Sequence, residues 1–381
     1  MKIKKVCFLV FYIFLVFTGC KSNINDEKRV DQITWNNLEY ESSMDLVYAK
    51  NFSVDYYKGG YALININELE KFLIIPEDKQ VPIELDKDIT VIKQPINNIY
   101  LVATSAMDLF RSLDEINSIT LCGTDIDNWY IPQAKDALKS GTMVYAGKYN
   151  MPDYELILNK GCNLAIESTM IYHTPKVKEK FEELGIPVLV EYSSYEPHPL
   201  GRMEWIKLYS VLFNKEELAK NLVVQQEKLI NSIVIDNDKP RTVAFFYISN
   251  SGYVNVRKSE DYISKMIEIA GGKYIFDNIG NEENALSTIN MQIESFYDKA
   301  KDADILIYNS TIDGELETID DLLKKSQLLK DFKAVQWGNV WCTSKNMFQE
   351  TMSIGDMILD FNTVMYFNEN EKQLKYLYRL K

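Results

Sequence analysis

Past residue 97 the chain falls into a strand–helix rhythm that runs through two series, and a single long amphipathic helix separates them. In the first series, short apolar runs at 99–103, 116–122, 143–146, 163–166 and 186–190 read as strands. Between them, 106–113, 152–160 and 175–184 read as helices, with Gly123, Gly147 and Gly185 as stops. The second series starts after Pro240, with strands at 242–248 and 304–308 and a strand pair at 334–337 and 340–342. Its helices fall at 260–270, 295–301 and 319–324, and a closing helix at 354–367. Such alternation implies parallel sheets covered by helices. The helix between the series starts at Asn214, which has capping-box spacing to Glu217, and carries Leu218, Leu222, Leu229 and Ile233 on one face. Its nineteen or so residues span about 28 Å at 1.5 Å per residue, enough to bridge two lobes. The expected fold is α/β: two Rossmann-like lobes with parallel sheets joined by one long α-helix, preceded by a small N-terminal β-meander. The meander is read from runs at 52–56, 61–66 and 72–75, with Lys58-Gly59-Gly60 as a turn.

The first residues point to export. Lys2, Lys4 and Lys5 precede an unbroken apolar run over 6–17, shorter than the roughly 20 residues of a membrane span. Thr18-Gly19-Cys20 closes the run and resembles a bacterial lipobox, with Phe17 where Leu is usual; Cys20 is the expected lipidation site. The expected division is signal peptide 1–20, tether 21–43, N-terminal lobe with meander 44–213, interlobe helix 214–235 and C-terminal lobe 236–381. Loss of the three signal lysines takes the net charge from −13 to about −16. So acidic a body lacks the basic footprint of nucleic-acid binding. Of the five cysteines, Cys122, Cys162 and Cys342 remain after the signal and the anchor, and they read as buried thiols, with at most one internal disulfide.

Catalytic signatures are missing: there is no G-x-S-x-G, H-E-x-x-H or G-x-G-x-x-G, and 141–148 has the wrong spacing for a phosphate loop. With only His173 and His198, a bare transition-metal site completed by Glu196 is poorly supplied with imidazoles. The chemistry concentrates instead in residues 191–202, after a parallel strand, where α/β sheets place ligands. Glu196, His198 and Arg202 stand there with two tyrosines, and Arg202 offers a planar fork to a carboxylate or hydroxamate oxygen pair. Residues 249–257 play the matching part in the second lobe, with Tyr253 and Arg257. Trp129 and Tyr130 follow one strand end, and Trp341, Lys345 and Phe348 sit at or beyond another. The candidate ligand contacts are Thr104, Ser105, Trp129, Tyr130, Lys148, Glu196, His198, Arg202, Tyr253, Arg257, Trp341 and Phe348.

Over about residues 97–365 the pattern resembles the helical-backbone class of ABC importer substrate-binding proteins. The resemblance rests on the lipobox, Thr104-Ser105 after a strand, Pro152-Asp153-Tyr154-Glu155, Gly185-Ile186-Pro187-Val188, Glu216-Glu217-Leu218-Ala219 and Ile269-Ala270-Gly271-Gly272, in that order. It implies a binding protein, not an enzyme, that takes a ferric siderophore, corrinoid or haem between its lobes with only a small closing motion. It further implies an ABC permease as partner, docked through Glu155 on one lobe and Glu294 on the other, and a lipid anchor on Cys20 at the outer face of the cell membrane. The expected protein is a monomer with no resident cofactor or metal and no nucleic-acid partner; its ligand is a small-molecule metal chelate.

Overall fold

The computed structural model describes residues 33–235, 239–276, 279, 287–366 and 374–381. The signal segment and Cys20 lie outside the described residues.

The N-terminal sheet has strands β1 (Tyr40–Ser43), β2 (Phe52–Tyr57), β3 (Tyr61–Ile66), β4 (Glu70–Ile75) and β5 (Ile89–Lys93), in that spatial order. The first four form an antiparallel meander and β5 adds in parallel to β4. Strand alternation gives this sheet two buried faces. Val54, Ile64, Phe72 and Ile74 join the main core, while Tyr61, Leu73 and Ile75 form a second cluster under Ile33, Trp35 and Leu38. Strand β1 is a correction to the expected tether: Tyr40–Ser43 pairs with β2.

The N-terminal lobe holds β6 (Ile99–Leu101), β7 (Ile119–Cys122), β8 (Val144–Tyr145) and a small hairpin of β9 (Gly147–Lys148) with β10 (Met151–Pro152). It continues with β11 (Leu164–Ser168) and β12 (Val188–Glu191). Its main sheet, ordered β12-β11-β6-β7-β8, is parallel throughout. Helices α1 (Met107–Ser112), α2 (Pro132–Ser140), α3 (Tyr154–Asn159) and α4 (Pro175–Glu183) pack around it. Pro152 lies in β10 and not in the first turn of α3; Asp153 caps that helix by accepting from the Leu156 N–H at 3.0 Å.

Two helices then run in succession: α5 (Pro199–Phe213) and α6 (Glu216–Asn231). Asn214 does not open the interlobe helix. It closes α5 in the left-handed conformation, φ 55°, and α6 starts two residues later. At 16 residues, α6 spans about 24 Å. It carries the chain from α5 along α12 (Ile354–Met365) toward the second lobe. The crossing is close: the Gly355 N–H donates to Gln226 Oε1 at 2.9 Å.

The C-terminal lobe contains β13 (Thr242–Ile248), β14 (Val254–Arg257), α7 (Tyr262–Ile269), β15 (Lys273–Tyr274), β16 (Thr288–Met291), α8 (Ile293–Ala300) and β17 (Ile305–Tyr308). It continues through α9 (Ser310–Asp313), α10 (Ile319–Lys325), α11 (Lys333–Gln336), β18 (Val340–Thr343), α12 and β19 (Leu377–Arg379). Strands β13, β17 and β18 form a parallel centre, but β14, β16 and β19 add antiparallel, so this sheet is mixed where a parallel one was expected. Residues 334–337 were expected as a strand, but Lys333–Gln336 form the short helix α11.

Candidate ligand-binding cleft between the lobes

The cleft forms where parallel strands of the N-terminal lobe end. Thr104 and Ser105 follow β6, Ser168 ends β11 with Thr169 just after it, and Glu191 ends β12. Their side chains line a cavity of about 340 Å³. Carbonyl-end rims of this kind are the usual ligand positions in α/β sheets. Glu191 is fully enclosed: the Ser193 N–H and Ser105 Oγ donate to its carboxylate at 2.9 and 2.8 Å. Burial pushes its pKa up, against the pull of these donors and of Arg202.

Arg202, on the first turns of α5, is only 6% exposed. Its guanidinium lies 3.9 Å from the ring centre of Tyr262, the first residue of α7, so this stack crosses from one lobe to the other. Opposite, Arg257 at the end of β14 lines the same cavity. It lies 3.5 Å from Asp261 and donates to Ser287 Oγ at 3.2 Å, with its guanidinium 5.3 Å from the Phe348 ring centre. Asp261 caps α7 by accepting from the Ile263 N–H at 2.9 Å; burial raises its pKa while Arg257 and Arg202 oppose that.

A second chamber of about 380 Å³ shares Thr104 and Phe348 with the first and adds Tyr130, Lys345 and Gln349. Here the lobes are joined by hydrogen bonds. Gln349 accepts from the Tyr130 N–H at 2.7 Å and donates to the Asn128 carbonyl at 2.8 Å. Thr351 Oγ1 donates to the Ser105 carbonyl and the Met352 N–H to Asp108, at 2.9 and 2.7 Å.

No protein-family model matches the chain. Solved structures of the same architecture do. An ABC transporter substrate-binding protein from Listeria monocytogenes matches at TM-score 0.53 and 16% identity, over 71% of this chain and 98% of its own. The periplasmic haem-binding protein of Vibrio cholerae matches at TM-score 0.55 and 17% identity, over 70% and 98%. An ABC-type Fe3+-hydroxamate transport protein from Saccharomonospora viridis matches at 0.53 and 17%, over 71% and 93%. The fold is that of the helix-bridged substrate-binding proteins. An uncharacterized lipoprotein of Methanocaldococcus jannaschii is 26% identical over 96% of this chain and 93% of its own length. The solved neighbours thus leave part of this chain unmatched, whereas the lipoprotein spans nearly all of it.

On this substrate-binding-protein fold, the residues singled out from the sequence separate cleanly. Thr104, Ser105, Arg202, Arg257 and Phe348 line the first chamber, and Tyr130 lines the second. Trp129 does not: it is fully buried, and its indole N–H donates to the Thr124 carbonyl at 3.1 Å. Trp341 is a core residue of β18 whose Nε1 donates to Asn339. Lys148 is exposed in β9 and Tyr253 is 43% exposed, each away from both chambers.

Glu196 and His198 serve the N-terminal sheet instead. Glu196 accepts from the Lys50 and Asn51 N–H groups, each at 2.9 Å, and from Trp205 Nε1 at 3.0 Å. Glu204 accepts from Val47, Tyr48 and Ala49 at 3.1, 2.6 and 2.8 Å. Two carboxylates thereby satisfy consecutive amides from Val47 to Asn51, in a loop so near α5 that a Cβ on Gly201 would lie 3.0 Å from the Tyr48 carbonyl oxygen. His198 stacks on Tyr48 at 4.6 Å and its Nδ1 accepts from the Leu200 N–H at 3.2 Å. Burial and Lys265 lower its pKa, which suits a neutral ring. Among the described residues no group of three or more His, Cys, Asp or Glu is placed to hold a metal.

Glu155 and Glu294 are both exposed, each the second residue of its helix, α3 and α8. Cys122 and Cys342 are buried free thiols; Cys162 is free but only half-buried. Sequence reasoning missed Tyr262, Asp261, Ser168, Thr169 and Gln349. Asp261 carried a findable signal, an acid just before an apolar helical run. Among the described residues no helix is long and apolar enough to cross a membrane.

Proposed function

We propose that this chain is a substrate-binding lipoprotein of an ABC importer, which captures a ferric siderophore-type chelate between its lobes and delivers it to the permease. The observation that carries the reading is the cross-lobe pair Arg202 and Arg257. One arginine comes from each lobe, and both line a polar cavity at the strand ends. Binding between lobes joined by a stiff helix needs no chemical step, and the motifs of common hydrolases and nucleotide enzymes are missing from the sequence. The fold neighbours named for ABC substrate, haem and Fe3+-hydroxamate transport support a chelated-iron ligand.

In this reading Cys20 carries the lipid that holds the protein at the outer face of the membrane, and the lipoprotein name of the archaeal relative supports it. Glu155 and Glu294 dock into the permease as a monomer approaches it. Their equivalent positions, exposed on the first turn of the helix before a central parallel strand of each lobe, support that pairing. The test is native mass spectrometry of the full chain released from detergent micelles after incubation with ferric siderophores, corrinoids and haem. A one-to-one adduct with an iron chelate is the expected result. Adducts with none of them would contradict the reading.

A further inference from the structure

We infer that the ligand is held as an anion: a compact ferric chelate of the carboxylate class, whose free oxygens are gripped jointly by Arg202 and Arg257. This rests on the binding-protein reading above and adds the chemistry of the ligand. The first ground is the state of Arg202. It is 6% exposed, yet among the described residues no hydrogen bond or ion pair within 4 Å involves its guanidinium. Arginine stays protonated in proteins, so its donors cannot be silenced by loss of a proton. None of the Arg202 nitrogens is among the enclosed side-chain atoms left without a partner, so the fork opens onto the chamber, and a planar fork is matched best by a pair of oxygens on one group. The guanidinium is held flat against Tyr262, so the fork is pre-aimed rather than free to swing.

The second ground is that neither nearby acid hydrogen-bonds the fork, although both interact with its charge. Glu191 is occupied by Ser105 and Ser193, and Asp261 by Arg257 and the Ile263 N–H. The third ground is the lining. Ser168, Thr169, Ser194 and Ser287 bring hydroxyls around the same 340 Å³ chamber, which Glu191 also lines, and Lys345, 3.5 Å from Glu315, lines the next. Hydroxyl donors suit carboxylate oxygens.

The lining also argues against the ring ligands. A tetrapyrrole needs one unbroken apolar slot, but the cleft consists of two polar chambers that meet at Thr104 and Phe348. Neither histidine lines either chamber. The face of Tyr262 is covered by Arg202.

The test is equilibrium binding to the full chain in detergent, by intrinsic fluorescence and calorimetry. The probes are ferric citrate, iron-free citrate, a cationic ferric trihydroxamate, haem and cobalamin. Ferric citrate should bind best, with affinity falling as salt is raised. Arg202→Gln and Arg257→Gln should each weaken it about tenfold, and the double variant about a hundredfold. Arg202→Lys keeps the charge without the fork and should recover only part of the loss; it also serves if the glutamine variant fails to fold. Equal affinity for the cationic trihydroxamate or for haem overturns the inference, as does undiminished citrate binding in the folded arginine variants. If iron-free citrate binds as tightly as the ferric chelate and remains arginine-dependent, the anion site stands and the iron reading falls. Arginine-independent binding of any iron chelate leaves that reading and removes the anion site.

Discussion

Glu191, Glu196 and Glu204 lie close in sequence and do different work. Only Glu191 faces the cleft; the other two hold the N-terminal sheet to α5. The sequence showed carboxylates, an imidazole and an arginine together, but their directions depend on helix phase, and α5 begins at Pro199, inside the stretch read as a loop. Arg202 was legible because a fork-shaped cation after a strand end has few other uses. Glu196 and His198 were misassigned because their partners, the amides at 50 and 51 and the Tyr48 ring, come from a distant part of the chain. Glu204→Ala would strand three amides and the Lys207 ammonium. We expect a loss on the order of 3 kcal/mol in denaturant unfolding, with ligand affinity little changed.

Glu167 gives a second residue-scale prediction. It is fully buried on β11 near Tyr100 and Tyr154, and among the described residues neither carboxyl oxygen has a hydrogen-bond partner. Burial pushes its pKa from 4.5 up to about 8. A raised folded-state pKa means the native state binds more protons than the unfolded chain across that window, so stability falls as pH rises through it. Glu167→Gln should remove this fall. Its unfolding midpoint should exceed the parent's near pH 9 and lose that advantage near pH 5. A parallel pH dependence in parent and variant would contradict the assignment.

At the scale of elements, the first-lobe strands and helices were legible because apolar runs of strand length alternated with striped helices. Helix α5 was not. From Pro199 to Leu212 nearly every residue is buried, including Gly201, Arg202 and Glu204, so there is no polar face to set a helical period. Its Pro and Gly near the start also imitate a loop. Helix α6 was legible in kind, since it keeps a wet face, but its start was placed two residues early. Asn214 looked like an N-cap and is in fact the left-handed end of α5, with its Oδ1 accepting from Gln94 at 3.2 Å. Asn214→Ala should cost about 1 kcal/mol in urea unfolding, from the left-handed backbone and the lost bond, and Asn214→Gly less. A larger cost for glycine than for alanine would contradict the left-handed account, since both variants lose the same side-chain bond.

At the scale of the whole molecule, the two-lobe plan followed from the repeated rhythm and the helix between. The mixed C-terminal sheet did not, because β14 and β19 are only four and three residues long and the alternation at 254–257 falls inside the stretch read for ligand contacts. The hydrogen bonds from 349–352 to the first lobe add to the α6 bridge in limiting how far the lobes can swing. Small-angle scattering should therefore change little on ligand binding. Glu155→Ala and Glu294→Ala lie outside the cleft. Each should lower chelate uptake by cells or proteoliposomes carrying the permease while leaving affinity intact; lost affinity would contradict the docking role.

The most direct test of the central claim is hydrogen–deuterium exchange with and without bound chelate. A ligand gripped by both lobes should protect peptides around 102–105, 168–169 and 191–202 together with those around 257–262 and 345–349. Protection confined to one lobe, or to the N-terminal sheet around 76–97, would contradict a cleft shared between them.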